Sequence, residues 1–124
     1  MNGRQARNRA SGHRARVESA LSAVRDAAPE LLEERPAEGM ELWRKGPAVF
    51  ALPMLREAYP AELNNAIQTR RRAIFDCCCP CGAVMRVTRG GQTTMRHAGD
   101  CPASDEVLAE LAAAAGVETR RRDG

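Results

Sequence analysis

Apolar side chains near the start of the chain recur at the spacing of a helix. From position 17 onward they fall three or four residues apart, at Val17, Leu21, Val24 and Ala28. This spacing places them on one face and predicts a helix that begins at Arg16. Pro29 interrupts the pattern because its nitrogen carries no hydrogen to donate, and Leu31 and Leu32 then resume the apolar face. We therefore expect one kinked helix or two short ones, ending before Pro36.

The middle of the chain combines turn residues with two further apolar patterns. Residues 36–47 contain glycines and prolines at both ends and are predicted to form a linker or a hairpin, with Trp43 as a core anchor. Residues 48–52 are expected to form a short buried strand. Residues 60–75 carry the clearest helical pattern, with one apolar face made of Leu63, Ala66, Ile67 and Ile74.

Two more elements are predicted in the C-terminal part. Residues 83–97 are rich in β-branched side chains around a Gly-Gly turn, which predicts a β-hairpin. A last helix is expected from about residue 103 to 115. Ser104 is a suitable N-cap for it, and Gly116 is a suitable stop.

Composition rules out a large conventional core. Of 124 residues, 22 are alanine, and leucine, isoleucine, valine and phenylalanine together supply only 20. We therefore expect a metal, a partner or a nucleic acid to contribute to folding. The chain contains no apolar run long enough for a transmembrane helix, and its first 16 residues contain no apolar stretch that would make a secretory signal. These features lead us to expect a cytoplasmic, reducing location.

The cysteines carry the clearest chemical signal. Cys78-x-x-Cys81 is followed by Gly82 and, fifteen residues later, by His97-x-x-x-Cys101. Two close ligand pairs separated by a short loop are typical of a chain wrapped around a tetrahedral zinc ion. An iron–sulfur cluster, a redox dithiol and a metal-free cluster are the alternatives. Neither ferredoxin spacing is present, and a redox CxxC would be followed by a helix rather than by Gly82 and strand residues.

This segment resembles the treble-clef and zinc-ribbon class of zinc fingers. In treble clefs a CxxCG knuckle is followed by a β-hairpin and then by a helix, which is the predicted order over residues 77–116. The resemblance implies Cys81, His97 and Cys101 as ligands of a structural Zn²⁺ ion. For the fourth we prefer Cys78, because CxxC is the usual knuckle spacing, and keep Cys79 as the alternative. Cys77 is expected to behave as a small core residue.

These patterns together predict an α+β fold with a helical N-terminal half followed by a small zinc finger of knuckle, hairpin and C-terminal helix. The predicted boundaries are a disordered basic arm at 1–15, a helical region at 16–76, the finger at 77–116 and a frayed tail at 117–124. A net charge of +3 conceals two basic blocks, at 1–16 and 67–101, separated by the acidic block 17–66.

Two classes of function remain, and neither is catalytic. No serine-nucleophile, phosphate-loop or dinucleotide motif is present, so we expect neither an enzyme nor a small-molecule substrate. The first class is a zinc module that binds the phosphate backbone of nucleic acid. Its candidate contacts are Arg70, Arg71, Arg72, Arg86, Arg89 and Arg96, and, in the basic arm, Arg4, Arg7 and Arg9.

The second class is a structural component of a larger assembly. Examples are a ribosome-associated factor, a transcription adaptor or a small protein of a virion or other nucleoprotein assembly. The small apolar core expected for this protein and its alternating charge blocks are typical of a chain that is ordered by its partners. We expect a protein partner to bind the helix face of residues 17–35, and no membrane to be involved.

Overall fold

The computed structural model describes residues 3–88 and 90–117, with side chains from residue 12 onward. Three helices and two antiparallel sheets confirm the α+β class. The elements in order are α1 (Gly3–Asp26), β1 (Pro29–Arg35), a 3-10 turn (Pro36–Glu38), β2 (Met40–Lys45), β3 (Ala48–Pro53), α2 (Ala61–Asp76), β4 (Met85–Val87), β5 (Thr93–Met95) and α3 (Asp105–Ala114). None of the helices in the described part of the chain is long and apolar enough to cross a membrane.

The first helix begins earlier than predicted. Its backbone is helical from Gly3, so residues 3–15, which we expected to be disordered, belong to α1. The apolar spacing identified the buried face correctly, because Leu21 and Val24 lie in the core and Val17 packs against it. This face therefore packs inside the protein, which removes much of the surface that we had assigned to a partner.

Residues 29–35 form a strand, and the helix predicted there is wrong. Pro29 ends the helical pattern, and the chain then pairs with β2 in an antiparallel ladder that sets Leu31 opposite Trp43. The register shifts between Leu31 and Glu33, as at a β-bulge. All seven residues of β1 are exposed, including Leu31 and Leu32 at 41% and 40%. Paired leucines in the sequence thus marked an edge strand and not a helix face.

The hairpin of β2 and β3 fixes the end of α1. Residues 48–53 form the predicted strand, with Phe50 and Leu52 buried. Gly46 turns the chain with a φ of +58°, and a Cβ there would lie 2.8 Å from the backbone oxygen of Ala23. The neighbouring Lys45, the only lysine in the sequence, is buried and donates hydrogen bonds to the carbonyls of Val24 and Arg25. The ammonium group thus satisfies carbonyls at the helix C-terminus.

Two apolar clusters connect α2 to both halves of the protein. Leu63, Ala66 and Ile67 pack against Leu108 and Ala112 of α3, which confirms the predicted face of the 60–75 helix. At the other end of α2, Phe75 meets the ring of Trp43 edge-on, with centroids 5.6 Å apart. Trp43 therefore anchors the core as expected.

The C-terminal elements follow the prediction closely. The strands β4 and β5 pair in register, with Arg86 opposite Thr94. The Ser104 hydroxyl accepts a hydrogen bond from the amide of Val107 and so caps α3. At the other end Gly116 has a φ of +72°, and its amide and that of Val117 bond to Ala113 and Ala112 in a Schellman arrangement.

Leu52→Ala should destabilise the sheet side of the core strongly. The Leu52 side chain is fully buried, so truncation leaves a cavity as well as losing apolar contact, and we expect a loss of about 3 kcal/mol in the free energy of unfolding. Denaturant unfolding measures it. Val49→Ala on the same strand is the control, because Val49 is 56% exposed, and it should change stability by less than about 0.5 kcal/mol. Equal losses for the two variants would contradict this description of the core.

Candidate metal centre

Four side chains bring metal-ligating atoms together at the C-terminal half of the structure. The sulfurs of Cys79, Cys81 and Cys101 and a ring nitrogen of His97 all lie within 4.8 Å of one another. The Cys79 and Cys101 sulfurs are 3.7 Å apart. His97 Nδ1 lies 3.6 Å from the Cys81 sulfur and 3.9 Å from the Cys101 sulfur. The cluster is therefore able to hold a single metal ion.

These separations fit a tetrahedral zinc ion. With zinc–sulfur bonds of about 2.3 Å and a zinc–nitrogen bond of about 2.0 Å, neighbouring ligand atoms are about 3.5 to 3.8 Å apart. The three measured separations lie at or close to this range. Three thiolates and an imidazole are also among the donor sets that zinc prefers at structural sites.

A tight turn presents the first two cysteines. Cys79 begins it and is followed by Pro80, whose fixed φ suits the second position of a turn. The amide of Gly82 donates to the Cys79 carbonyl to close the turn, and Gly82 itself has a φ of +99°. The amide of Cys79 then pairs with the carbonyl of Ala83. A glycine at this point lets the backbone fold back around the cysteine sulfurs.

A second turn of the same kind presents Cys101. Pro102 follows it, and the amide of Ser104 donates to the Cys101 carbonyl. The amide of Ala103 points at the Cys101 sulfur, 3.4 Å away. Ser104 also caps α3, so the ligand is fixed directly to the start of that helix. His97 reaches the cluster from the segment that follows β5.

The electrostatic surroundings of the thiols differ. Backbone hydrogen bonds at Ala98 and Ala83 lower the pKa of Cys81 to about 6, which favours the thiolate form that binds metals. Burial raises the pKa of Cys79 to about 11. Binding a metal cation would offset the free-energy cost of ionising this buried thiol, because coordination replaces the thiol proton.

Cys79 belongs to the cluster and Cys78 does not, so our preference for Cys78 is corrected. Cys77 ends α2 as its C-cap in the left-handed conformation, with a φ of +60°, and so turns the chain away from the helix axis. Cys77 is buried in the main core, as predicted, and Cys79 is buried at the cluster. Cys78 between them is exposed and forms an isolated bridge with Val84.

A signal in the sequence pointed to Cys79. The dipeptide Cys-Pro occurs twice, at 79–80 and 101–102, and each copy opens a turn that ends three residues later. Proline in the second turn position is a sequence rule that does not depend on the finger class. Here this turn rule identifies the clustered cysteine correctly, whereas the usual CxxC spacing does not.

Arg71 is held within the fold. Its guanidinium bonds to the carboxylate of Glu41 and, at 2.8 Å, to the carbonyl of Pro53. It also lies 5.8 Å from the centre of the Trp43 ring. The Arg71 and Glu41 side chains are only 15% and 14% exposed. This arginine supports the contact between α2 and the sheet, which leaves it unsuited to the phosphate contact that the sequence suggested.

The other candidate arginines have different surroundings. Arg70 forms an ion pair with Asp105 at the start of α3, and Arg72 is exposed. Arg86 on β4 and Arg96 after β5 are also exposed. Arg89 lies outside the described residues, as do the side chains of Arg4, Arg7 and Arg9 and the predicted tail beyond residue 117.

No protein-family model, curated protein or solved structure matches this chain. Its function is therefore inferred from the arrangement of its own side chains.

Replacing Cys79 and Cys78 one at a time should show which of the two cysteines binds the metal. Cys79→Ser removes one of four ligands, and we expect zinc affinity to fall by more than about 100-fold. Cys78→Ser should leave it unchanged, because Cys78 lies outside the cluster. Native mass spectrometry of each variant, with a chelator competition, measures the metal content. Zinc loss in Cys78→Ser with retention in Cys79→Ser would reverse the assignment.

Proposed function

We propose that this chain is a non-catalytic zinc-binding module whose metal ion has a structural role. The observation that carries the proposal is the tetrahedral spacing of Cys79, Cys81, His97 and Cys101. Four protein ligands leave no coordination position for water or substrate, which is the mark of a structural site. One imidazole among three thiolates is a ligand set of structural zinc sites. Iron–sulfur clusters are instead held by four cysteines, or by two cysteines and two histidines.

The apolar content near the cluster supports a structural role for the metal. The buried residues packed there are small, namely Ala73, Cys79, Ala83, Cys101 and Ala103. Side chains of this size bury little apolar area, and so they contribute little to stability by themselves. The ligands come from three segments: the turn after α2, the segment after β5 and the turn before α3. A bound ion would hold these segments together, as in other small zinc-stabilised folds of treble-clef type.

Removing the metal should unfold the C-terminal half. In zinc-stabilised folds the binding free energy of the metal is folding free energy. Incubation with a chelator under reducing conditions is expected to abolish amide protection in β4, β5 and α3. Hydrogen exchange followed by mass spectrometry measures this, and added zinc should restore it. Unchanged protection over residues 83–115 in the metal-free protein would contradict a structural role.

We propose nucleic acid as the partner of the module, bound through its phosphate backbone. Support comes from Arg70, Arg86 and Arg96, which line one groove beside the cluster. Arginine is well suited to phosphate because its planar guanidinium can donate two hydrogen bonds at once. The alternative, a structural role in a larger assembly, is favoured by one observation. The edge strand β1 is exposed along its whole length and carries Leu31 and Leu32.

Salt dependence distinguishes these two partners. If three arginines neutralise phosphates, the logarithm of the duplex association constant should fall with the logarithm of salt concentration with a slope of about −3. Fluorescence anisotropy with a labelled DNA duplex measures it. Partner binding through β1 should be nearly independent of salt and should weaken in Leu31→Asp. Absence of duplex binding at low salt would rule out the nucleic-acid proposal.

A further inference from the structure

A groove of about 770 Å³ lies beside the metal centre and is bounded by three elements. Arg70 contributes from α2, Arg86 and Arg96 from the β4–β5 hairpin, and Asp105 from the start of α3. His97, one of the four candidate ligands, also lines it. The groove wall and the metal centre therefore share a side chain.

The hairpin directs one of these arginines into the groove by strand alternation. Met85 is buried in the main core, so its neighbour Arg86 must point to the other side of the strand. Thr94, the cross-strand partner of Arg86, lines the groove as well. Arg96 follows two residues after Thr94, at the spacing that keeps both on one face.

The three arginines differ in how they are paired. Among the described residues, no acidic side chain forms an ion pair with Arg86 or Arg96. Arg70 pairs with Asp105, whose side chain is 83% exposed. The Arg70 side chain is only 27% exposed, but the carboxylate side of the pair is open to water, so the pair is weak and the carboxylate can be exchanged for another anion. Within the described part of the chain, the groove thus holds two guanidinium groups without an ion-pair partner and one with a replaceable partner.

We propose that this groove binds one phosphodiester strand of a nucleic-acid duplex, and that Asp105 competes with the bound phosphate for Arg70. The proposal rests on the nucleic-acid function proposed above and assigns it to one place. Arg86 and Arg96 contact the strand from the hairpin side. Arg70 exchanges the Asp105 carboxylate for a phosphate oxygen on the helix side.

The lining favours backbone contact over base recognition. Among the described residues, no phenylalanine, tyrosine or tryptophan lines the groove, and the His97 ring belongs to the metal cluster, so bases of a single strand have no free aromatic ring on which to stack. Two carboxylates, from Asp105 and Glu106, also line the groove. They reduce its positive potential, which makes the pairing state of Arg70 important for affinity. Loss of the Asp105 charge should therefore strengthen binding.

The decisive experiment compares one loss and one gain of affinity in the zinc-loaded full-length protein. Arg86→Ala should weaken binding of a short DNA duplex at low salt by about tenfold, the expected effect of one lost charge-assisted contact. Asp105→Asn should tighten binding by about threefold, because Arg70 no longer has a competing carboxylate. Fluorescence anisotropy gives both dissociation constants, and single-stranded DNA and duplex RNA are measured in parallel.

Two controls match these charge changes elsewhere. Arg44→Ala removes an exposed arginine on β2, and Glu110→Gln neutralises a carboxylate on the same helix as Asp105 but outside the groove. Neither should change the dissociation constant by more than about twofold. The gain in Asp105→Asn cannot arise from unfolding, and metal content verifies the fold of Arg86→Ala.

The outcomes separate the groove from the general function. If the wild-type protein binds no nucleic acid at low salt, the proposed partner class itself is wrong. If it binds but Arg86→Ala and Asp105→Asn behave like their controls, the partner class stands and the groove assignment is overturned. Tighter binding of single-stranded DNA than of duplex would also overturn the assignment to a duplex strand.

Discussion

The C-terminal half of this protein is arranged around four possible metal-ligating atoms that lie within 4.8 Å of one another. The strands β4 and β5 are three residues each, and a two-stranded hairpin of that size is marginal in water. The buried apolar residues nearby are alanines and the cysteines themselves, with Met95 partly buried against them. A metal ion bound by the four side chains would supply the cross-links that such a small core lacks.

The same arrangement reaches the N-terminal half through two residues. Cys77 and Met85, on either side of the first ligand turn, are buried with Leu21 of α1 and Phe50 of β3. The amide of Met85 bonds to the Cys77 carbonyl, so the two are fixed to each other. The ligand turn and the main core therefore share one short stretch of backbone. Order at the metal centre and order in the sheet are linked by direct packing.

The sequence predicted those elements whose signals are local. The α2 periodicity, the Ser104 cap and the Gly116 stop each depend on a few neighbouring residues, and all three are confirmed. The β1 strand was missed because the pair Leu31 and Leu32 is compatible with a helix as well as with a strand. Only the pairing of this segment with β2 in the folded protein identifies it as a strand. Three of the four clustered side chains followed from spacing, whereas the fourth depended on how the chain turns at Cys77 and at the Cys79–Gly82 turn.

The arginine run at positions 70–72 illustrates why charge in a sequence does not locate a binding surface. Successive helix residues point about 100° apart, so three adjacent arginines must face three directions. Arg71 faces the sheet, where it pairs with Glu41 and lies over the Trp43 ring, while Arg72 faces water. Only Arg70 faces the groove, where it meets arginines from a distant hairpin. A phosphate site here depends on the tertiary fold, because the arginines of the groove come from α2 and from the region of the β4–β5 hairpin. Unfolding of this part would therefore disperse the basic groups, although every arginine would remain in the chain.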